Sequence, residues 1–123
     1  MEGDPHIKSK RRQLHQEMST QSMLQNVRKA TVVVANPTHR AVALFYDKEK
    51  TKLPVTVAKG ENILAERIQQ IAREEGIPIM RDIFLARELY EKGQLDGYIP
   101  ADLIEPVAEV LRWVYRLKGE ARS

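Results

Sequence analysis

The sequence predicts an α/β domain: a small mixed sheet of about four strands packed with helices, preceded by a projecting N-terminal helix. Three observations predict it. Short apolar runs of strand length occur at 31–35, 41–46, 53–58 and 77–80. Segments with apolar residues at helical spacing alternate with the later runs and follow them, at 61–76, 83–92 and around 101–118. Residues 5–28 contain no Gly and no internal Pro, yet carry too few apolar side chains to form a core face.

The first helix opens at Pro5, a residue suited to a first helical position. Ile7, Leu14, Met18, Met23, Leu24 and Val27 give it only a weak stripe, so residues 1–29 read as a linker and 30–123 as the folded unit. The run "TVVVA" (31–35) is β-branched and continuous, the pattern of a strand buried on both faces. A second strand, "AVALFY" (41–46), follows after a four-residue turn, and "DKEKTK" (47–52) is an exposed loop. In "LPVTVA" (53–58) Pro54 sits near the strand start, where its missing N–H is tolerated, and Gly60 is expected to break the chain.

Next comes the clearest helix, 61–76, with Ile63, Leu64, Ile68, Ile71 and Ala72 assigned to its buried face and Gly76 to its C-terminal cap. "IPIM" (77–80) is a short fourth strand, which makes 53–80 a right-handed parallel crossover. Asp82 caps the helix 83–92, which Gly93 ends. The last helix is expected to bury Leu103, Val107, Val110, Leu111, Val114 and Leu117, with Pro106 near its start and a frayed tail from Lys118.

Composition narrows the function classes. Apolar residues make up 42% and charged residues 30% of the 123 positions, as in an ordinary globular domain. There is no Cys, which excludes disulfides and thiolate chemistry. No apolar run reaches the length of a membrane span. The net charge of +3 resides in residues 1–30, where Lys8, Lys10, Arg11, Arg12, Arg28 and Lys29 face Glu2, Asp4 and Glu17. Such a segment suits an anionic partner or a merely solvated helix face. A nucleic-acid-binding module built on this helix is the alternative reading, although it lacks aromatic side chains for stacking. The His complement, His6, His15 and His39, forms no ligand cluster, so neither a metal nor another cofactor is expected.

The turn Asn36-Pro37-Thr38-His39 carries the distinctive chemistry. In an ordinary Asn-X pair the next backbone nitrogen attacks the side-chain carbonyl. Pro37 has no N–H, so that route is closed. The reverse attack remains: the Asn36 amide nitrogen attacks the Asn36 backbone carbonyl carbon, a succinimide forms, and the bond to Pro37 breaks. A fold accelerates this slow reaction by holding the side chain in attack geometry, by straining the turn, or by placing a proton-transfer group, His39, close by. Thr38 offers a donor to the developing oxyanion. Taken alone, Asn-Pro is more often an ordinary turn dipeptide, and Asn-Pro-x-His between two strands is compatible with a plain hairpin turn.

Beyond this motif, "EGDPHIKSKRRQLHQEM" (2–18), "VVVANPTH" (32–39), "AVALFYD" (41–47), "LPVTVAKG" (53–60), "IAREEGIPIMRD" (71–82), "LARELY" (85–90) and "YIPADLIEPVAEVLRWVY" (98–115) stand in one register. Together they resemble the cytoplasmic domain of the FlhB/YscU family, the type III secretion export-apparatus switch proteins of flagella and injectisomes. The resemblance implies self-cleavage between Asn36 and Pro37, with Thr38 and His39 completing the motif and the two fragments staying associated. It further implies an excised part of a bacterial inner-membrane protein that faces the cytoplasm, with the linker 1–29 leading toward membrane helices and Met1 introduced at the cut. Implied partners are other export-apparatus proteins and secreted substrates or their chaperones; no nucleic acid is expected. The implied activity is a single self-cleavage that changes substrate specificity, without turnover on external substrates. Two positions depart from the family pattern. Arg40 places a cation beside His39, which disfavours an imidazolium, and Phe84 stands where a Pro commonly precedes "LAR". The block 98–113 leans toward an injectisome, and "AVALFYD" with "VAKG" toward a flagellum; the injectisome is favoured.

Overall fold

A computed structural model describes residues 5–122, with side chains from Ser9 to Gly119. Its elements are α1 (Pro5–Gln25), a 3-10 turn (Asn26–Lys29), β1 (Val32–Asn36), β2 (Arg40–Phe45), β3 (Val55–Glu61), α2 (Ile63–Glu74), β4 (Ile79–Arg81), α3 (Ile83–Lys92), a second 3-10 turn (Ala101–Leu103) and α4 (Ile104–Arg122). The strands form one mixed sheet in the order β3-β2-β1-β4. β1 pairs antiparallel with β2 and parallel with β4, and β2 pairs antiparallel with β3. β3 and β4 therefore run in the same direction, as a crossover through α2 requires, but β2 and β1 lie between them.

The central place of β1 follows from its composition, which leaves neither face fit for water. Val32 and Val34 enter one core with Val42, Leu44, Leu85, Leu89, Val107 and Val114. Val33 and Ala35 enter the other with Ala41, Ala43, Ala58, Ala65, Ile68 and Ala72. The sheet is thus the middle of three layers, with α3 and α4 on one side and α2 on the other. Leu24 and Val27 add the end of the linker to the α2 side. Upstream of Thr20, α1 is exposed from Ser9 onward, including Leu14 and Met18, so the helix projects as its sparse stripe predicts.

Several expectations need correction. Gly60 does not break the chain: it lies inside β3, opposite Ala41. A Cβ there would stand 2.5 Å from the Cβ of Leu64, so the glycine serves the tight return of α2 over the strand. Ile63 is 74% exposed. At about 100° per residue it lies roughly 160° around the helix from Ala65, whose face is the buried one. Leu117 is also exposed, because α4 runs past the edge of its core after Val114. The tail is helical through Arg122 rather than frayed from Lys118. The caps stand as expected: the Asp82 side chain accepts from Leu85 N–H at 3.0 Å, Gly76 has φ +70°, and Pro106 lies in the first turn of α4.

Candidate functional site

Because β1 and β2 are joined by only three residues, the Asn-Pro pair is held at a sheet end. Asn36 is the last residue of β1 and faces Arg40, the first of β2. Pro37 presets φ in the turn, and the His39 N–H donates to the Asn36 carbonyl oxygen at 2.9 Å. Asn36 and Pro37 are half-buried, whereas Thr38 and His39 are exposed. The four motif residues are contiguous, so the structure keeps them together by construction; what it adds is the set of groups that hold them.

Three of those groups come from other elements. Asn62 N–H, at the start of α2, donates to the His39 carbonyl at 2.9 Å. Asp82 N–H, before α3, donates to the Ala35 carbonyl at 3.1 Å. Gln69, from the buried face of α2, donates through Nε2 to the Pro37 carbonyl at 2.9 Å and to Ala65 O at 3.0 Å. The carbonyls of Ala35, Asn36, Pro37 and His39 therefore each accept a hydrogen bond, and the turn is fixed on both sides of the 36–37 bond. Asn62 adopts φ 53°, ψ −116°, a region that residues with side chains avoid.

The group that donates to the Asn36 carbonyl oxygen in this structure is not the Thr38 hydroxyl. Attack at the Asn36 carbonyl carbon would drive negative charge onto its oxygen, and the group already donating to that oxygen is the His39 backbone N–H. Thr38 instead pairs its hydroxyl with His39 Nδ1 at 2.7 Å. A hydroxyl proton given to Nδ1 leaves the imidazole proton on Nε2; the opposite tautomer reverses the roles. In either case the two side chains brace one another.

Arg40 turns its charge onto carboxylates. Nε lies 3.4 Å from Glu61 and a terminal nitrogen 3.6 Å from Glu91, with the guanidinium carbon 5.4 Å from the centre of the Tyr90 ring. Lys59 Nζ approaches the same ring at 5.1 Å and donates to the carbonyls of Tyr90 and Gly93 at 3.1 and 2.8 Å. The Tyr90 hydroxyl donates to Glu61 at 3.0 Å. Burial, then this bond and the Glu61 charge, push the phenol pKa up, while Arg40 opposes them. Phe84 is exposed beneath Arg87, whose guanidinium carbon is 5.4 Å from the ring centre. Among the described residues no acidic, His or Cys cluster suits a metal, and no helix is long and apolar enough to cross a membrane.

Sequence reasoning missed Gln69, Asn62 and the His39 N–H. A readable signal existed for the first alone: Gln69 is a polar residue on the stripe that buries Ala65, Ile68 and Ala72.

Comparison with known proteins extends this geometry. Residues 1–114 match the family described as FlhB HrpN YscU SpaS. The chain is 50% identical over 116 residues to Yop proteins translocation protein U of Yersinia pestis, covering 94% of this chain and 33% of that protein. It is also 50% identical over 122 residues to flagellar biosynthetic protein FlhB of Helicobacter pylori, covering 99% and 34%. The crystal structure of the cytoplasmic domain of FlhB from Shewanella putrefaciens superposes with a TM-score of 0.80 at 37% identity, covering 84% of this chain and 79% of that one. The chain thus spans about a third of the length of the curated relatives. With a matching mixed sheet and nearly the whole sequence in register, the chain belongs to the FlhB, HrpN, YscU and SpaS family of type III secretion export proteins.

Proposed function

We propose that this chain cleaves its own Asn36–Pro37 bond by cyclisation of Asn36, and that scission makes it the substrate-specificity switch of a type III secretion apparatus. One observation carries the reading: a carbonyl oxygen followed by proline is held by a backbone N–H in a rigid hairpin turn. Asn36 Nδ2 forms a bond to the Asn36 carbonyl carbon, and the oxygen gathers negative charge against the His39 N–H. The C–N bond to Pro37 then breaks, and the proton lost from Nδ2 ends on the proline nitrogen. The products are a C-terminal succinimide on Asn36 and a new amino terminus at Pro37. Thr38 and His39 orient or relay that proton. The chemistry happens once per chain and touches no external substrate.

In the full-length protein this domain is the cytoplasmic part of an inner-membrane component, with residues 1–29 as the link to the membrane. Other export-apparatus proteins and secreted substrates or their chaperones are the partners. Equal identity to a Yop translocation relative and a flagellar one supports the shared apparatus class; the injectisome preference rests on the block 98–113.

Intact mass under denaturing conditions tests the proposal. The expected species are pieces of 36 and 87 residues whose masses sum to the uncut chain, the first being one water lighter than a hydrolytic product. Asn36→Ala is expected to stay whole, and Pro37→Ala to cleave more slowly. A single uncut species after long incubation at neutral pH, or cleavage of Asn36→Ala at the same bond, contradicts it.

A further inference from the structure

We propose that Gln69 is a positioning residue for scission at Asn36–Pro37, an inference that rests on the self-cleavage reading above. Gln69 lies on α2, more than thirty positions along the chain from the turn, yet its carboxamide reaches the carbonyl of the residue that leaves. The side chain is only 5% exposed and shares its face with Ala65, Ile68 and Ala72. A polar group in such a place is disfavoured unless its hydrogen bonds are made. Here Nε2 donates to both Pro37 O and Ala65 O, so the amide bridges the helix backbone to the turn.

The consequence concerns torsional freedom. The ring of Pro37 fixes its φ. The bond from Gln69 fixes its carbonyl, and with it ψ. On the other side of the scissile bond the His39 N–H fixes the Asn36 carbonyl. The 36–37 amide is therefore held between two anchored carbonyls, and the rotations left to the reacting atoms are those of the Asn36 side chain. Loss of the Gln69 anchor lets Pro37 turn away from attack geometry, and small misplacements of reacting atoms cost large factors in rate.

The test is the first-order scission rate of refolded, initially uncut protein, with circular dichroism establishing that each variant is folded. Gln69→Met keeps the volume and removes the donors; it is expected to cleave at least about tenfold more slowly than wild type. Gln69→Glu adds a readout that packing alone does not move. Its ionised carboxylate has no donor, while its protonated form regains one. The ratio of its rate to that of wild type is expected to rise as pH falls, and the ratio for Gln69→Met to stay flat. His39 in the turn and Glu66 and Arg73, about one helical turn away on α2, are common to all three proteins, and Gln69→Met, which adds no charge, is the control for their contribution. Folded Gln69→Met cleaving within about twofold of wild type overturns the role of Gln69 while leaving self-cleavage intact. A flat ratio for folded Gln69→Glu that lies well below one does the same, and serves alone if the Met variant does not fold; a flat ratio near one is the result expected where burial keeps the carboxyl protonated and the donor in place. Wild type that never cleaves overturns both proposals together.

Discussion

Opening the 36–37 bond leaves β1 on one fragment and every other strand on the other, so the Val34→Ala substitution can be read twice. Val34 is fully buried in the core beneath α3 and α4. Its strand is paired on both edges, five residues against β2 and three against β4. Shortening Val to Ala removes two methyl groups, ~0.8 kcal/mol each by transfer, and the cavity left among Val42, Leu85 and Val107 raises the cost to about 2–3 kcal/mol. In uncut Asn36→Ala protein this loss should appear in urea unfolding as a lower midpoint at unchanged slope. In cut protein the same loss falls on association, where 2–3 kcal/mol is about 30- to 150-fold in dissociation constant. The assay separates the fragments in denaturant, removes it, and titrates the 36-residue piece into the 87-residue piece by calorimetry. Without the substitution the pieces should co-elute on native gel filtration at micromolar concentration. Five large apolar side chains of the short piece, Leu24, Val27, Val32, Val33 and Val34, are buried, each contributing ~1.5–3 kcal/mol. A folded 87-residue piece eluting alone, or a Val34→Ala effect below about threefold, refutes the argument.

For the proposed scission, His39→Ala should cleave more slowly than wild type without becoming inert, because nucleophile and leaving group belong to Asn36 and Pro37; a first-order rate equal to that of wild type removes the His39 side chain from the reaction. Asn62→Gly should raise unfolding free energy by about 1 kcal/mol, because relief of the positive φ outweighs the entropy glycine loses; chemical denaturation showing a decrease contradicts the strain. Gly60→Ala should cost about 1–3 kcal/mol, since its Cβ would press on that of Leu64, and a neutral result means that α2 shifts freely. The raised phenol pKa of Tyr90 sets a stability term that is full below the ordinary tyrosine value and is lost as pH rises through the raised one. Tyr90→Phe should therefore flatten the alkaline fall in melting temperature, and an unchanged fall excludes Tyr90 as its source.

Local patterns made the elements legible. "TVVVA" announces a strand wet on neither side, and Asp82 and Gly76 mark helix ends through chemistry that acts over three or four residues. The chemistry proposed for Asn36-Pro37 is likewise local: the closed and open attack routes depend on two adjacent residues alone. What stayed hidden depends on distance along the chain. The reach of Gln69 to Pro37 and the bond from Asn62 to His39 exist only once α2 has folded back over β3. That same return gives Gly60 its role, and a glycine read locally looks like a break. The choice of His39 N–H over Thr38 as donor is set by turn geometry, which residue type does not disclose. Leu117 keeps the helical spacing of its buried neighbours, and only the length of the sheet beneath α4 decides that it is exposed.

The position of β1 between an antiparallel and a parallel neighbour has a kinetic consequence. In the uncut chain β1 and β2 meet through a three-residue loop, a first-order event among the fastest in folding. Parallel pairing with β4 then closes a sequence separation of more than forty residues onto a strand already in place. If the 36–37 bond is cut as proposed, the first step is no longer a loop closure but a collision, whose rate scales with fragment concentration. A chain pulled apart before the cut reassembles at a rate independent of dilution. One pulled apart after it, with few copies present, would stay apart, so the proposed cut would turn a reversible unfolding into one with a direction in time.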